Sequence, residues 1–135
     1  NYVDATFNTI PDKAHRAIAG LSMGGMHTLM ITANYPDMFN YIGLYSSGVD
    51  FTLIEKGEVP AYANFDGKLA KLAQTKPKLY WIACGSADGL MQANKQLMER
   101  MAKNGLKYTF HESSRGHLWS NWRQYSLLFI PQLFK

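Results

Sequence analysis

Four short apolar runs punctuate the chain, at residues 16–21, 41–46, 79–84 and 108–111, and each is closed by Gly, Ser or Asp. Runs of this length bounded by turn residues predict short, mostly buried strands. Longer segments of helical period lie between and after them. One covers residues 24–33 and is stopped by Tyr35-Pro36-Asp37; a weaker one covers 67–74. A third covers 90–103, where Leu90, Leu97, Met98 and Met101 recur at helical spacing and Asn104-Gly105 supplies the stop. The last, over 118–134, carries the apolar load of a closing helix whose final turn Pro131 must kink or fray. Residues 49–65, with Gly57 and Pro60, read as loop. Strands alternating with helices predict an α/β fold: about four mainly parallel strands with helices on both faces, in one domain over 1–135.

The first predicted strand runs into Gly20-Leu21-Ser22-Met23-Gly24-Gly25, a G-x-S-x-G turn followed by a helix. A serine on such a tight turn needs small neighbours two residues to either side, which predicts that Gly20 and Gly24 both relieve backbone collisions. Ser22 is then an exposed nucleophile. The following helix aims its N-terminal dipole at the site, and the Met23 backbone N–H is a candidate oxyanion donor.

A serine hydroxyl is a poor nucleophile at neutral pH, so the turn calls for a histidine base and a carboxylate, in the chain order Ser, acid, His. Asp88 follows the third strand, at the carboxyl edge where open parallel sheets hold their sites. It is also placed to cap the 90–103 helix, and the two roles are compatible. Asp50, four residues past the second strand, is the competing acid. Of the four histidines only His111 and His117 follow the acid. His111 belongs to the last strand, whereas His117 lies beyond it in the small-residue turn Ser113-Ser114-Arg115-Gly116, and is the expected base. His15, before the elbow strand, and His27, in the helix after it, read as structural. Trp119, Trp122, Tyr45 and Phe51 could border the cleft and stack on a planar or sugar-bearing group; Trp119, Trp122 and Tyr45 are the candidate substrate contacts, and core packing is the competing reading for each.

Composition narrows the partners. The hydrophobic fraction of 47% supports a real core, and a net charge of +4 from scattered lysines and arginines forms no basic block for nucleic acid. The single cysteine, Cys84, excludes an internal disulfide and a cysteine-rich zinc site. No histidine pair has ligand spacing, so no metal and no cofactor is expected. No window approaches the roughly 18 apolar residues of a membrane span, and residues 1–9 lack a signal-peptide pattern.

Residues 15–25, His15-Arg16-Ala17-Ile18-Ala19-Gly20-Leu21-Ser22-Met23-Gly24-Gly25, resemble the esterase D group of α/β-hydrolases, most of all the feruloyl esterase domains attached to bacterial xylanases. Trp81-Ile82-Ala83-Cys84-Gly85 leading to Asp88 is similar to that group's acid segment. Gly116-His117 with Trp119 and Trp122 is similar to its histidine segment. The resemblance implies a serine esterase acting on hydroxycinnamic esters of plant cell-wall xylan, secreted or periplasmic. Relatives with acetyl xylan or S-formylglutathione substrates leave the acyl group open. It also implies that this chain is the C-terminal half of the domain, lacking N-terminal strands and a second oxyanion loop, so that a partner, the missing half or a second copy, covers the elbow strand. The alternative is a catalytically silent fragment that completes a sheet with such a partner.

Overall fold

The computed structural model describes residues 2–135. Each apolar run becomes a strand: β1 (Ala17–Leu21), β2 (Tyr41–Tyr45), β3 (Leu79–Gly85) and β4 (Thr109–Ser113). They form one sheet in the order β1-β2-β3-β4, every pair parallel. Leu21, Tyr45, Ala83 and His111 share one row across it, so the four strand ends and the loops that follow them lie along one edge. Around the sheet are α1 (Tyr2–Thr6), α2 (Met23–Asn34), α3 (Phe51–Lys56), α4 (Phe65–Gln74), α5 (Met91–Lys103) and α6 (Trp119–Phe129).

Strand alternation divides the core into two layers. Ile42 and Leu44 of β2 and Tyr80 and Ile82 of β3 face the layer of α2, α4 and α5, where Leu29, Leu69, Leu72, Leu97 and Met101 are fully buried. Tyr41, Tyr45, Trp81 and Ala83 face the opposite way, against Trp122, Tyr125 and Phe129 of α6. Burying a Leu, Phe or Ile side chain contributes about 1.5–3 kcal/mol, so these two layers, with helices on both faces, supply most of the driving force for the fold. Gly43 lets α6 approach closely, because an added Cβ would meet the Phe129 ring at 3.1 Å.

Several boundaries differ from the sequence expectation, and the largest difference is α3. Within 49–65, expected to be loop, the Asp50 carboxylate accepts from the N–H groups of Thr52 (2.9 Å) and Leu53 (3.2 Å), while Gly57 at φ 63° ends the turn. A capped start and a left-handed stop make a six-residue helix where periodicity had too few residues to register. β4 extends to Ser113, and the closing helix ends at Phe129, with Pro131 in a separate 3-10 turn over Ile130–Gln132.

Among the described residues β1 pairs with β2 alone, and its residues are mostly half-buried where those of β2 are all buried. Beside it runs an apolar groove lined by Ala17, Ala19, Leu21, Phe129, Ile130 and Leu133. No helix among the described residues is long and apolar enough to cross a membrane.

Candidate active site

Ser22 sits between β1 and α2 at φ 52°, ψ −119°, a conformation non-glycine residues rarely adopt. Holding it costs on the order of 1–3 kcal/mol, and its surroundings over-determine it. The Ser22 N–H donates to the Tyr45 carbonyl (2.9 Å), and the Ser22 carbonyl accepts from Gly48 (2.8 Å) and Gly25 (3.1 Å). The glycine requirement is one-sided. A Cβ on Gly20 would fall 2.1 Å from the Gly24 carbonyl oxygen, whereas one on Gly24 would point into open space, which corrects the symmetric expectation. Gly25 is tightly placed as well, since its Cβ would lie 3.0 Å from Ser47.

The loops after β3 and β4 bring the other two groups to Ser22. The Ala87 N–H donates to the Arg115 carbonyl (2.9 Å) and that of Ser86 to the Ser113 carbonyl (2.8 Å), lacing the two loops together. Asn121 of α6 donates to the carbonyls of Ser114 and Gly116, both at 3.0 Å, and pins the turn that carries His117. As a result His117 Nε2 lies 2.9 Å from Ser22 Oγ, and its Nδ1 lies 3.0 and 3.2 Å from the two Asp88 carboxylate oxygens.

The Asp88 side chain is fully buried while that of His117 is 35% exposed. Burial alone would raise the Asp88 carboxyl. Hydrogen bonds from the Leu90 N–H, the Ser46 hydroxyl and His117, with the His117 charge, outweigh it and hold the carboxyl below its ordinary range. An ionised carboxylate only accepts, so the imidazole proton resides on Nδ1 and Nε2 is left to accept from the serine. Such a chain can draw the proton from Ser22 as its oxygen forms a bond. Met23, the first residue of α2, has one of the N–H groups left without an intrahelical partner at the helix start, next to Ser22.

The remaining expected residues divide. Trp119 is 66% exposed and meets Trp122 edge-on at 5.1 Å. Trp122 is buried, and its ring contacts His117 edge-on at 4.8 Å, so it faces the imidazole. Tyr45 does not border the cleft: strand alternation turns it into the α6 layer, edge-on to Trp81, Tyr125 and Phe129, where burial pushes its hydroxyl up to about 12. Phe51 packs against the core and lies under the Arg100 guanidinium, 5.2 Å away. Asp50 is committed to capping α3. His111 is stacked on Trp81 at 5.9 Å, His15 bonds Asp12 at 2.8 Å, and His27 is exposed on α2. Sequence reasoning passed over Asn121 and Ser46, whose contacts depend on which strands become neighbours. Among the described residues no three His, Cys, Asp or Glu side chains cluster to hold a metal.

Comparison with known proteins adds the family. An endo-1,4-beta-xylanase/feruloyl esterase of Xylanibacter ruminicola is 56% identical over 46 residues, 34% of this chain and 6% of that protein. An acetyl esterase of Caldicellulosiruptor saccharolyticus is 28% identical across 86% of this chain and 53% of its own length. An S-formylglutathione hydrolase from Staphylococcus aureus superposes with a TM-score of 0.81 at 22% identity, covering 99% of this chain and 57% of that one, which carries the α/β-hydrolase fold. The chain thus spans about half the length of the acetyl esterase and of the hydrolase, and a small part of the bifunctional xylanase. A family model described as "Putative esterase" matches residues 1–127, and the chain belongs to that esterase family.

Proposed function

We propose that this chain carries the catalytic groups of a serine carboxylic-ester hydrolase. Ser22 attacks the ester carbonyl, His117 takes the serine proton and returns it to the leaving alcohol, and Asp88 holds His117 in the required tautomer. The Met23 N–H donates to the developing oxyanion. Water then releases the acid by the same steps in reverse roles. The observation that carries this reading is the unbroken hydrogen-bonded path from Ser22 Oγ through His117 to Asp88.

For the acyl group we propose ferulic or a related hydroxycinnamic acid esterified to plant cell-wall xylan, a polymer met outside the cell. The 46-residue match to a xylanase/feruloyl esterase and the exposed Trp119 ring support it. Acetyl specificity is the competing reading, supported by the acetyl esterase that aligns with 86% of this chain.

A second oxyanion donor, and a strand on the open edge of β1, are proposed to come from outside this stretch, from the same protein or a second copy. Removing one oxyanion donor costs about 2.7–4 kcal/mol, or 10²–10³ in rate, so activity belongs to the assembled domain. The test is fluorophosphonate labelling mapped by mass spectrometry, with Ser22→Ala as control, followed by methyl ferulate against an aryl acetate. Modification of Ser22 is expected, with faster cleavage of the ferulate. An unmodified Ser22 in the assembled domain overturns the mechanism, and faster cleavage of the acetate overturns the feruloyl assignment.

A further inference from the structure

Ser46 directly follows β2 inside the protein. It is 0% exposed, its backbone is at φ 46°, and its N–H is anchored to the Ala83 carbonyl at 2.7 Å. A serine held in a left-handed conformation in the core needs a reason, and its hydroxyl supplies one. Trp122 Nε1 lies 3.2 Å from Ser46 Oγ. An indole N–H can only donate, so Ser46 must accept there and keeps its single proton for another group. The Asp88 carboxylate and the Cys84 thiol lie beside the Ser46 hydroxyl, which helps to hold the Asp88 carboxyl below its ordinary range. Of the two, the carboxylate is the stronger acceptor because it is charged.

The Trp122 N–H thus donates to Ser46, and His117 Nδ1–H donates to the carboxylate beside that serine. The Trp122 ring also meets His117 edge-on at 4.8 Å and 86°. One residue of α6 therefore touches both the imidazole and the serine beside the imidazole's carboxylate.

We propose that the Ser46 hydroxyl donates its proton to the Asp88 carboxylate, and that Ser46 and Trp122 are positioning residues, which fix that carboxylate and through it the tautomer and orientation of His117. Neither touches the ester. The proposal rests on the esterase mechanism above, and it makes a separate claim about the His117 Nδ1–H bond that can be read without turnover.

The test compares Ser46→Ala, Trp122→Phe and the double variant in the intact protein, each checked for folding by thermal denaturation. Trp122→Phe keeps a ring against His117 but removes the donor, and it carries the test alone if Ser46→Ala does not fold. Either single variant is expected to lower kcat about tenfold to a hundredfold with little change in KM. The acid limb of the kcat/KM profile should move to higher pH, because a carboxylate that has lost a donor is more easily protonated. The downfield proton resonance of His117 Nδ1–H should shift in both variants, and the double variant should be no worse than Ser46→Ala. An unmoved resonance and acid limb in folded single variants, or losses that simply add in the double, overturns the proposal. If wild-type Ser22 takes no fluorophosphonate, the esterase mechanism fails and the resonance still decides this one.

Discussion

Alanine at position 20 tests the elbow geometry most directly. The added methyl would lie 2.1 Å from the Gly24 carbonyl oxygen, 2.3 Å from its carbon and 2.8 Å from Thr28 Oγ1. Two of these are backbone atoms that cannot rotate away. To reach even the 3.0 Å floor of real Cβ contacts, the start of α2 must move about 1 Å from β1. Overpacking of this kind costs about 1–3 kcal/mol where side chains can adjust, so a backbone clash belongs at or above the top of that range. A 1 Å displacement of a reacting atom costs about a hundredfold in rate. Gly20→Ala should therefore lose about 3 kcal/mol in urea denaturation and about a hundredfold in the rate of fluorophosphonate labelling at Ser22. Gly24→Ala is the control: its methyl points into open space, and inside α2 alanine gains up to about 1 kcal/mol of helix propensity over glycine. Equal stability of the two variants, or a larger loss for Gly24→Ala, would refute this account of the turn.

Asp88→Asn should lower kcat by about 10⁴, as removal of a triad carboxylate does elsewhere. Asp50→Asn should leave kcat unchanged and cost up to about 2 kcal/mol as a weakened cap, so a steady-state comparison of the two separates the acid from its competitor. Because the Asp88 carboxyl is held below its ordinary range, its contribution to stability is fully present above about pH 4 and is lost as pH falls through the depressed value. Urea midpoints of wild type and Asp88→Asn should thus differ above about pH 4 and converge in stronger acid. Cys84 is 0% exposed and burial pushes its thiol up to about 12, so a thiol reagent should leave the native protein unmodified and react fully in urea.

How far the site could be read from the chain depended on the distance over which each feature is decided. The elbow is local: strand, Gly20-Leu21-Ser22-Met23-Gly24 and helix are contiguous, so sequence carries the whole motif. The juxtaposition of Asp88 and His117 with Ser22 was legible because parallel strands put their following loops on one edge, which left few candidates of the right type. Asp50 met the same criterion, and was excluded only by the two N–H groups that occupy its carboxylate. The α3 helix was missed although Asp50 and Gly57 marked both its ends, because six residues are too few to show a period. Tyr45 was misplaced for a different reason. β2 is buried on both faces, so hydrophobicity does not tell which side its odd residues take, and only the packing of α6 decides. Ser46 and Asn121 were illegible because polar residues inside a core acquire partners only after the sheet order is set.

The Ser22 to His117 bond joins atoms 95 residues apart in sequence, and every strand of the sheet lies between β1 and the turn that carries the histidine. Long-range contacts of this kind form late, after loop-closure entropy has been overcome. A nascent or partly unfolded chain therefore holds an ordinary serine, no more reactive than any other on its surface. On the proposed mechanism, reactivity at Ser22 appears only with the last strand in place, so the rate of its modification during refolding is a clock for completion of the sheet.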